Sequence, residues 1–163
     1  MKSRSKLTVL IFSGFVLSAC TFGGQNLDTQ HNSNSDAFNS SSPVASEHYN
    51  EYTPDAFEAA LASGKPIFIN FHANWCPTCK LQNRDLNQLF GADAEVQSSG
   101  IEGFFVNILD NETSDAEKEL ALRYGVTSQH TYIYINSSGE VVNKTIGTRT
   151  EKQIRDDLQS IAK

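Results

Sequence analysis

The apolar positions of this chain fall into three regimes. Residues 7–17 are mostly apolar and carry no charge. Residues 21–46 are rich in Ser, Asn, Gly and Gln and hold few large apolar side chains. From Thr53 onward, short apolar runs alternate with segments whose apolar residues recur every three or four positions. Short continuous runs suit strands buried on both faces, and the longer spacing suits helices with one buried face.

Turn and cap residues set the boundaries of these elements. Thr53 can N-cap a helix whose first position is Pro54 and whose apolar face is Phe57, Ala60 and Leu61. Gly64 closes it and Pro66 blocks continuation. The run 67–72, Ile-Phe-Ile-Asn-Phe-His, predicts a buried strand in a parallel part of a sheet. A second helix is predicted from Pro77 to about Phe90, with Leu86, Leu89 and Phe90 on one face, followed by a strand over 104–109. Ser114-Asp115-Ala116-Glu117 is a capping box for a helix that ends at Gly125. Strands over 131–135 and 141–146 flank Asn136-Ser137-Ser138-Gly139, which predicts a hairpin. A second capping box, Thr150-Glu151-Lys152-Gln153, opens a last helix with Ile154, Leu158 and Ile161 on its apolar face. This order predicts an α/β fold with a mixed central sheet flanked by helices on both faces.

Length and charge then bound the organisation. The 163 residues allow one ordinary domain plus appendages. The apolar stretch 7–17 is too short to cross a bilayer core of about 30 Å as a helix. It follows Lys2, Arg4 and Lys6 and ends in Leu17-Ser18-Ala19-Cys20, so residues 1–20 read as a signal peptide. Leu-Ser-Ala-Cys resembles a bacterial lipobox, which implies that Cys20 becomes a lipidated first residue. The expected product is exported and lipid-anchored to a bacterial membrane, facing the periplasm or the exterior. An uncleaved membrane anchor is the rival reading. Residues 21–46 cannot bury enough apolar surface to fold and read as a flexible tether, which leaves 47–163 as the domain. The net charge is −6, and with Lys2, Arg4 and Lys6 set aside the balance is 10 basic against 19 acidic residues. Such a surface repels phosphate backbones, so no nucleic-acid partner is expected.

Of three cysteines, Cys20 has its own explanation, and Cys76 and Cys79 remain in C-x-x-C spacing after a predicted strand and at a predicted helix start. Unpaired backbone N–H groups at a helix N-terminus stabilise a thiolate at Cys76. The thiolate is the attacking species in disulfide exchange, and Cys79, one turn further on, is placed to resolve a mixed disulfide. The same spacing serves zinc sites, but no second C-x-x-C completes four ligands. A purely structural disulfide would close too short a loop to stabilise much.

The stretch Gly64-Lys65-Pro66-Ile67-Phe68-Ile69-Asn70-Phe71-His72-Ala73-Asn74-Trp75-Cys76-Pro77-Thr78-Cys79-Lys80 resembles the thioredoxin superfamily, in particular exported members such as DsbD-type electron transporters. The likeness continues through Arg123-Tyr124-Gly125-Val126, Thr131, Gly139 and Gly147 and covers residues 53–163. It implies a thioredoxin fold and a dithiol–disulfide cycle with Cys76 as nucleophile and Cys79 as resolving thiol. It also implies a substrate-facing rim at Trp75 and a groove shaped by Pro77, Thr78, His130 and Thr131. No organic cofactor is implied beyond the redox-active Cys76–Cys79 disulfide. The expected partners are protein thiol or disulfide substrates and a recycling redox protein, and the favoured activity is that of a protein-disulfide reductase or electron relay.

Three positions depart from the pattern. Asn70 stands where the family carries a buried Asp, so the titratable group is missing there. His130 stands where a cis-proline is usual before Thr131, and is expected near Cys76 either as an imidazolium or as a neutral groove residue. A cis peptide before a non-proline residue costs about 2.5–4 kcal/mol, so its geometry is open. His72 replaces a large aromatic, and His72, Cys76, Cys79 and His130 together approximate a Cys₂His₂ metal set. A metal-binding or metal-chaperone module is therefore the alternative function.

Overall fold

Five strands and five helices alternate through residues 46–162, the part of the chain that the computed structural model describes. In chain order they are β1 (Tyr49–Glu51), α1 (Pro54–Ala62), β2 (Ile67–His72), α2 (Pro77–Ala92), α3 (Ala94–Ser98), β3 (Glu102–Asn107), α4 (Asp115–Arg123), β4 (Thr131–Ile135), β5 (Val141–Ile146) and α5 (Glu151–Ile161). The expected signal peptide with Cys20, and all of the expected tether except Ser46, lie outside the described residues. Among those described, no helix is long and apolar enough to cross a membrane.

The strands form one sheet in the order β1-β3-β2-β4-β5. β1, β3 and β2 run parallel, whereas β4 pairs antiparallel with both β2 and β5. β2 is central, and this explains its nearly continuous apolar sequence. Ile67, Ile69 and Phe71 pack on Phe57 and Ala60 of α1 and Leu120 of α4. Phe68 points the other way, into Leu86 and Phe90 of α2, Val96 of α3 and Ile154 and Leu158 of α5. Period-two alternation with both faces covered makes nearly every position apolar, with Asn70 the buried exception. The mixed sheet with helices on both faces is thus the observed architecture.

The caps act where the sequence placed them. Thr53 accepts from the Ala56 N–H at 3.3 Å, and both capping boxes, at Ser114 and Thr150, are complete. Two short elements lack a sequence signal. β1 has three residues, Tyr-Asn-Glu, of which only Tyr49 is buried. α3 has five residues held by Asp93, whose carboxylate accepts from the N–H groups of Glu95 and Val96. The third strand runs from Glu102 to Asn107 rather than over 104–109. Leu109 takes a left-handed φ of 60° and so cannot extend it.

Gly103 of β3 lets two aromatic rings close over the sheet. A Cβ there would sit 2.7 Å from Tyr49 Cδ2 and 3.0 Å from Phe90. Tyr49 and Phe90 stack with centroids 5.2 Å apart. Tyr49 thereby carries the first described strand into the layer beneath α2.

Candidate functional site: a dithiol at a helix N-terminus

The site lies where β2 ends and α2 begins. Its connecting loop is fixed from the neighbouring loop after β3. The Asn74 N–H donates to Asp110 Oδ2 at 2.8 Å, and Trp75 Nε1 donates to the Leu109 carbonyl at 2.9 Å. Trp75 is 56% exposed, and Pro77 and Thr78 are exposed beside it. These three form an open rim around the motif. Asn74, Leu109 and Asp110 were not foreseen as site residues; the polar turn Asp110-Asn111-Glu112-Thr113 was the available signal.

Cys76 is the N-cap residue of α2. Its sulfur accepts from the Cys79 N–H at 3.2 Å, so an orphan helix donor points at it. Thr78 Oγ1 lies 3.3 Å from the same sulfur. Burial pushes the Cys76 thiol up. The hydrogen bonds from the Cys79 thiol, the Thr78 hydroxyl and the backbone N–H groups of Cys79 and Thr78 outweigh burial and hold it below the ordinary thiol value. Cys79 goes the other way. Burial, its hydrogen bond to Cys76 and the charge on Cys76 push it up to about 12. Both cysteines are free, and only 4% and 1% of their surfaces are exposed. The two sulfurs are therefore tuned in opposite directions, Cys76 toward the thiolate and Cys79 toward the protonated thiol.

His130 reaches both. Its Nε2 lies 3.3 Å from Cys79 Sγ, 3.5 Å from Cys76 Sγ and 3.0 Å from Thr78 Oγ1. Every peptide bond among the described residues is trans, and His130 takes a left-handed φ of 54°. Its carbonyl accepts from the Gly147 N–H at 2.8 Å, which holds the loop against the end of β5. Burial lowers the pKa of the imidazole, which favours the neutral groove residue over the imidazolium. Thr131, expected to shape the groove, is buried instead. Its hydroxyl donates to the Ser128 carbonyl at 2.7 Å, so it fixes the loop from below.

The other two departures resolve differently. Asn70 is 2% exposed, and its Nδ2 donates to Tyr49 Oη at 2.8 Å and to Asn83 Oδ1 at 3.4 Å. Tyr49 Oη in turn donates to Asn83 Oδ1. This neutral three-residue network occupies the slot under α2, with no ionisable carboxyl in it. His72 stays outside the cluster of Cys76, Cys79 and His130, whose ligand atoms lie within 4.8 Å of one another. It packs edge-on against Phe105 with centroids 5.7 Å apart, and burial lowers its pKa against the pull of Asp110, Glu117 and Glu112. The four-ligand Cys₂His₂ set is thus corrected to three donors among the described residues, because the His72 side chain packs against the sheet.

A dithiol at a helix N-terminus beside a left-handed loop residue, on this sheet order, defines a thioredoxin-fold exchange protein. The chain matches the family described as thioredoxin-like over residues 48–131 and belongs to it. It is 25% identical over 123 residues to the thiol-disulfide oxidoreductase ResA of Halalkalibacterium halodurans, covering 66% of this chain and 68% of that protein. It is 30% identical over 113 residues to thioredoxin H4 of Arabidopsis thaliana, covering 69% and 82%. Among solved structures, Trxlp from Edwardsiella tarda superposes with a TM-score of 0.57 at 31% identity, covering 68% of this chain and 97% of that one. The protein is a thiol–disulfide oxidoreductase of the ResA and thioredoxin type.

Proposed function

We propose that this protein works outside the cytoplasm as a protein-disulfide reductase or electron relay, tethered to a membrane through lipidated Cys20, with Cys76 as nucleophile and Cys79 as resolving thiol. The observation that carries the reading is the Cys76–Cys79 pair at the start of α2, with the Cys79 N–H 3.2 Å from Cys76 Sγ, Cys76 lowered against burial by hydrogen bonds from the Cys79 thiol and Thr78, and Cys79 raised by burial.

The reaction balances as follows. The Cys76 thiolate attacks one sulfur of a substrate disulfide, that S–S bond breaks, and the other substrate sulfur leaves as a thiolate that takes up a proton. Cys79 then gives up its proton. His130 Nε2, neutral and 3.3 Å away, is the acceptor in reach. The Cys79 thiolate attacks Cys76 Sγ, releases the second substrate thiol and closes the Cys76–Cys79 disulfide. The substrate gains two electrons, and a dithiol partner must return two to this protein.

The exposed rim at Trp75, Pro77 and Thr78 is where a substrate chain would lie against Cys76. The reduction potential of the pair against glutathione tests the direction. A value near about −270 mV supports a reductase or relay, and one near about −120 mV makes the protein an oxidant. Fractionating cells that express the chain or its Cys20→Ser variant tests the anchor. The proposed tether requires the variant to leave the membrane fraction.

A further inference from the structure

We propose that the reduced Cys76–Cys79 pair and His130 form a three-donor binding site for copper(I). This goes beyond disulfide exchange and does not depend on its direction.

A metal bound to thiolate at about 2.3 Å and imidazole at about 2.0–2.1 Å holds its sulfur and nitrogen ligands about 3.6–3.8 Å apart at tetrahedral or trigonal angles. Here His130 Nε2 is 3.3 Å from one sulfur and 3.5 Å from the other. All three donor atoms lie within 4.8 Å of one another. Movements of a few tenths of an ångström open the triangle to metal-binding size. A C-x-x-C alone supplies two sulfurs; the nitrogen comes from His130, placed by its left-handed φ of 54° and by the Gly147 hydrogen bond to its carbonyl.

The donor set selects a soft ion. Two thiolates with one imidazole suit copper(I) and zinc far better than hard cations. Zinc normally completes four positions, with water in the fourth when the protein supplies three. No fourth His, Cys, Asp or Glu joins this cluster among the described residues. Cys76 and Cys79 are 4% and 1% exposed, so two of the three donor residues sit where solvent reaches little. Copper(I), a monovalent ion that three donors satisfy, fits both facts. One rearrangement is needed. Thr78 Oγ1, now 3.0 Å from His130 Nε2, must release that nitrogen, and Cys76 Sγ at 3.3 Å already offers the hydroxyl an alternative partner.

Binding moves protons and no electrons. Cys79, and Cys76 where it is still protonated, release their thiol protons as copper–sulfur bonds form, and the neutral imidazole donates its Nε2 lone pair. Closing the disulfide removes both sulfur donors. Copper therefore binds the dithiol form only and blocks exchange while bound, and oxidation discharges it.

The test uses the full chain carrying Cys20→Ser, which removes the third thiol, reduced and freed of metal under anaerobic conditions. Copper(I) is titrated against a chromophoric copper(I) chelator, and the bound ion is examined by X-ray absorption. The expected result is one copper per chain with two sulfurs and one nitrogen. A His130→Asn variant, whose side chain tolerates φ > 0, is expected to lose at least about tenfold in affinity and the nitrogen ligand. The oxidised parent protein, which needs no further substitution, is expected not to bind. Failure to take copper from the chelator, equal affinity in His130→Asn, or a preference for zinc(II) over copper(I) would overturn the site. Disulfide exchange by the metal-free protein is measured in parallel. Exchange without copper binding sinks the copper site alone, whereas absence of exchange sinks the oxidoreductase assignment of these cysteines.

Discussion

Trp75 Nε1 donates to the backbone carbonyl of Leu109 at 2.9 Å, and Leu109 holds that carbonyl in place with a left-handed φ of 60°. Both side chains are more than half exposed, so the hydrogen bond rather than burial orients the indole beside Cys76. Trp75→Phe keeps an aromatic ring but loses the donor. Global stability is expected to fall by no more than about 1 kcal/mol, measured by denaturant unfolding. The kcat/KM for a peptide disulfide is expected to fall several-fold, mostly through KM. An unchanged KM would mean that the indole does not form the docking rim.

The opposed pKa values of the two thiols should separate in alkylation. With Cys76 held below the ordinary thiol value and Cys79 pushed up to about 12, iodoacetamide is expected to modify Cys76 first and at a pH below the usual thiol range. Mass spectrometry after short pulses across pH gives the rate for each residue. Equal rates, or faster labelling of Cys79, would reverse the assignment of nucleophile.

The same values make the stability of the reduced protein depend on pH. Cys76 is depressed in the folded state, so its contribution grows as pH rises through its folded pKa to the unfolded value of about 8.5. Cys79 is raised in the folded state, so above about 8.5 the unfolded chain ionises first and stability falls until about 12. The Tm of the reduced form is therefore expected to peak near the ordinary thiol pKa and then drop. The oxidised form lacks both groups, and subtracting its profile removes the contributions of the buried tyrosines, whose pKa values are also raised.

His130→Asn removes the proton acceptor nearest Cys79 while keeping a residue that tolerates φ > 0. Release of the mixed disulfide is expected to slow by about a hundredfold, the lower end of general acid–base contributions. Formation of the mixed disulfide at Cys76 should change less. Stopped-flow tryptophan fluorescence can follow both phases, and equal slowing of the two would point to a general distortion of the loop.

Gly103→Ala puts a methyl group where Tyr49 and Phe90 leave no space, with contacts of 2.7 and 3.0 Å. Overpacking of this kind costs about 1–3 kcal/mol. The midpoint of unfolding should shift accordingly, and near-ultraviolet circular dichroism should report the displaced tyrosine. A neutral substitution would show that the stack on Gly103 is looser than its geometry.

The sequence made the long elements legible because their signals are local. Thr53-Pro54, the two capping boxes and the run Ile67-Phe68-Ile69 each declare an element within a few residues. β1 and α3 escaped because three and five residues carry no period; β1 is held by β3, far along the chain, and α3 by a single local cap at Asp93. Leu109 looked like a strand residue because it follows Ile108, and only its φ takes it out. In the site, the proximity of His130 to Cys76, at 3.5 Å, is legible because the loop position could be matched to a pattern. The destination of the Asn70 amide was not. Its partners Tyr49 and Asn83 lie 21 and 13 residues away, and nothing local links them.

The unequal protonation of the two sulfurs also sets how the couple responds to its surroundings. Between the depressed pKa of Cys76 and the value of about 12 at Cys79, the reduced pair holds one proton. Its reduction therefore takes up two electrons with one proton, and the midpoint potential falls by about 30 mV per pH unit, half the slope of a couple that binds two. Below about pH 8.5, where both thiols of an ordinary dithiol partner are protonated, each unit of acidification shifts the equilibrium about tenfold toward this protein as the electron donor. Alkalinisation favours its reduction by that partner to the same extent. The placement of one cysteine at the helix cap and the other beneath it thus makes the driving force for electron flow a function of local acidity.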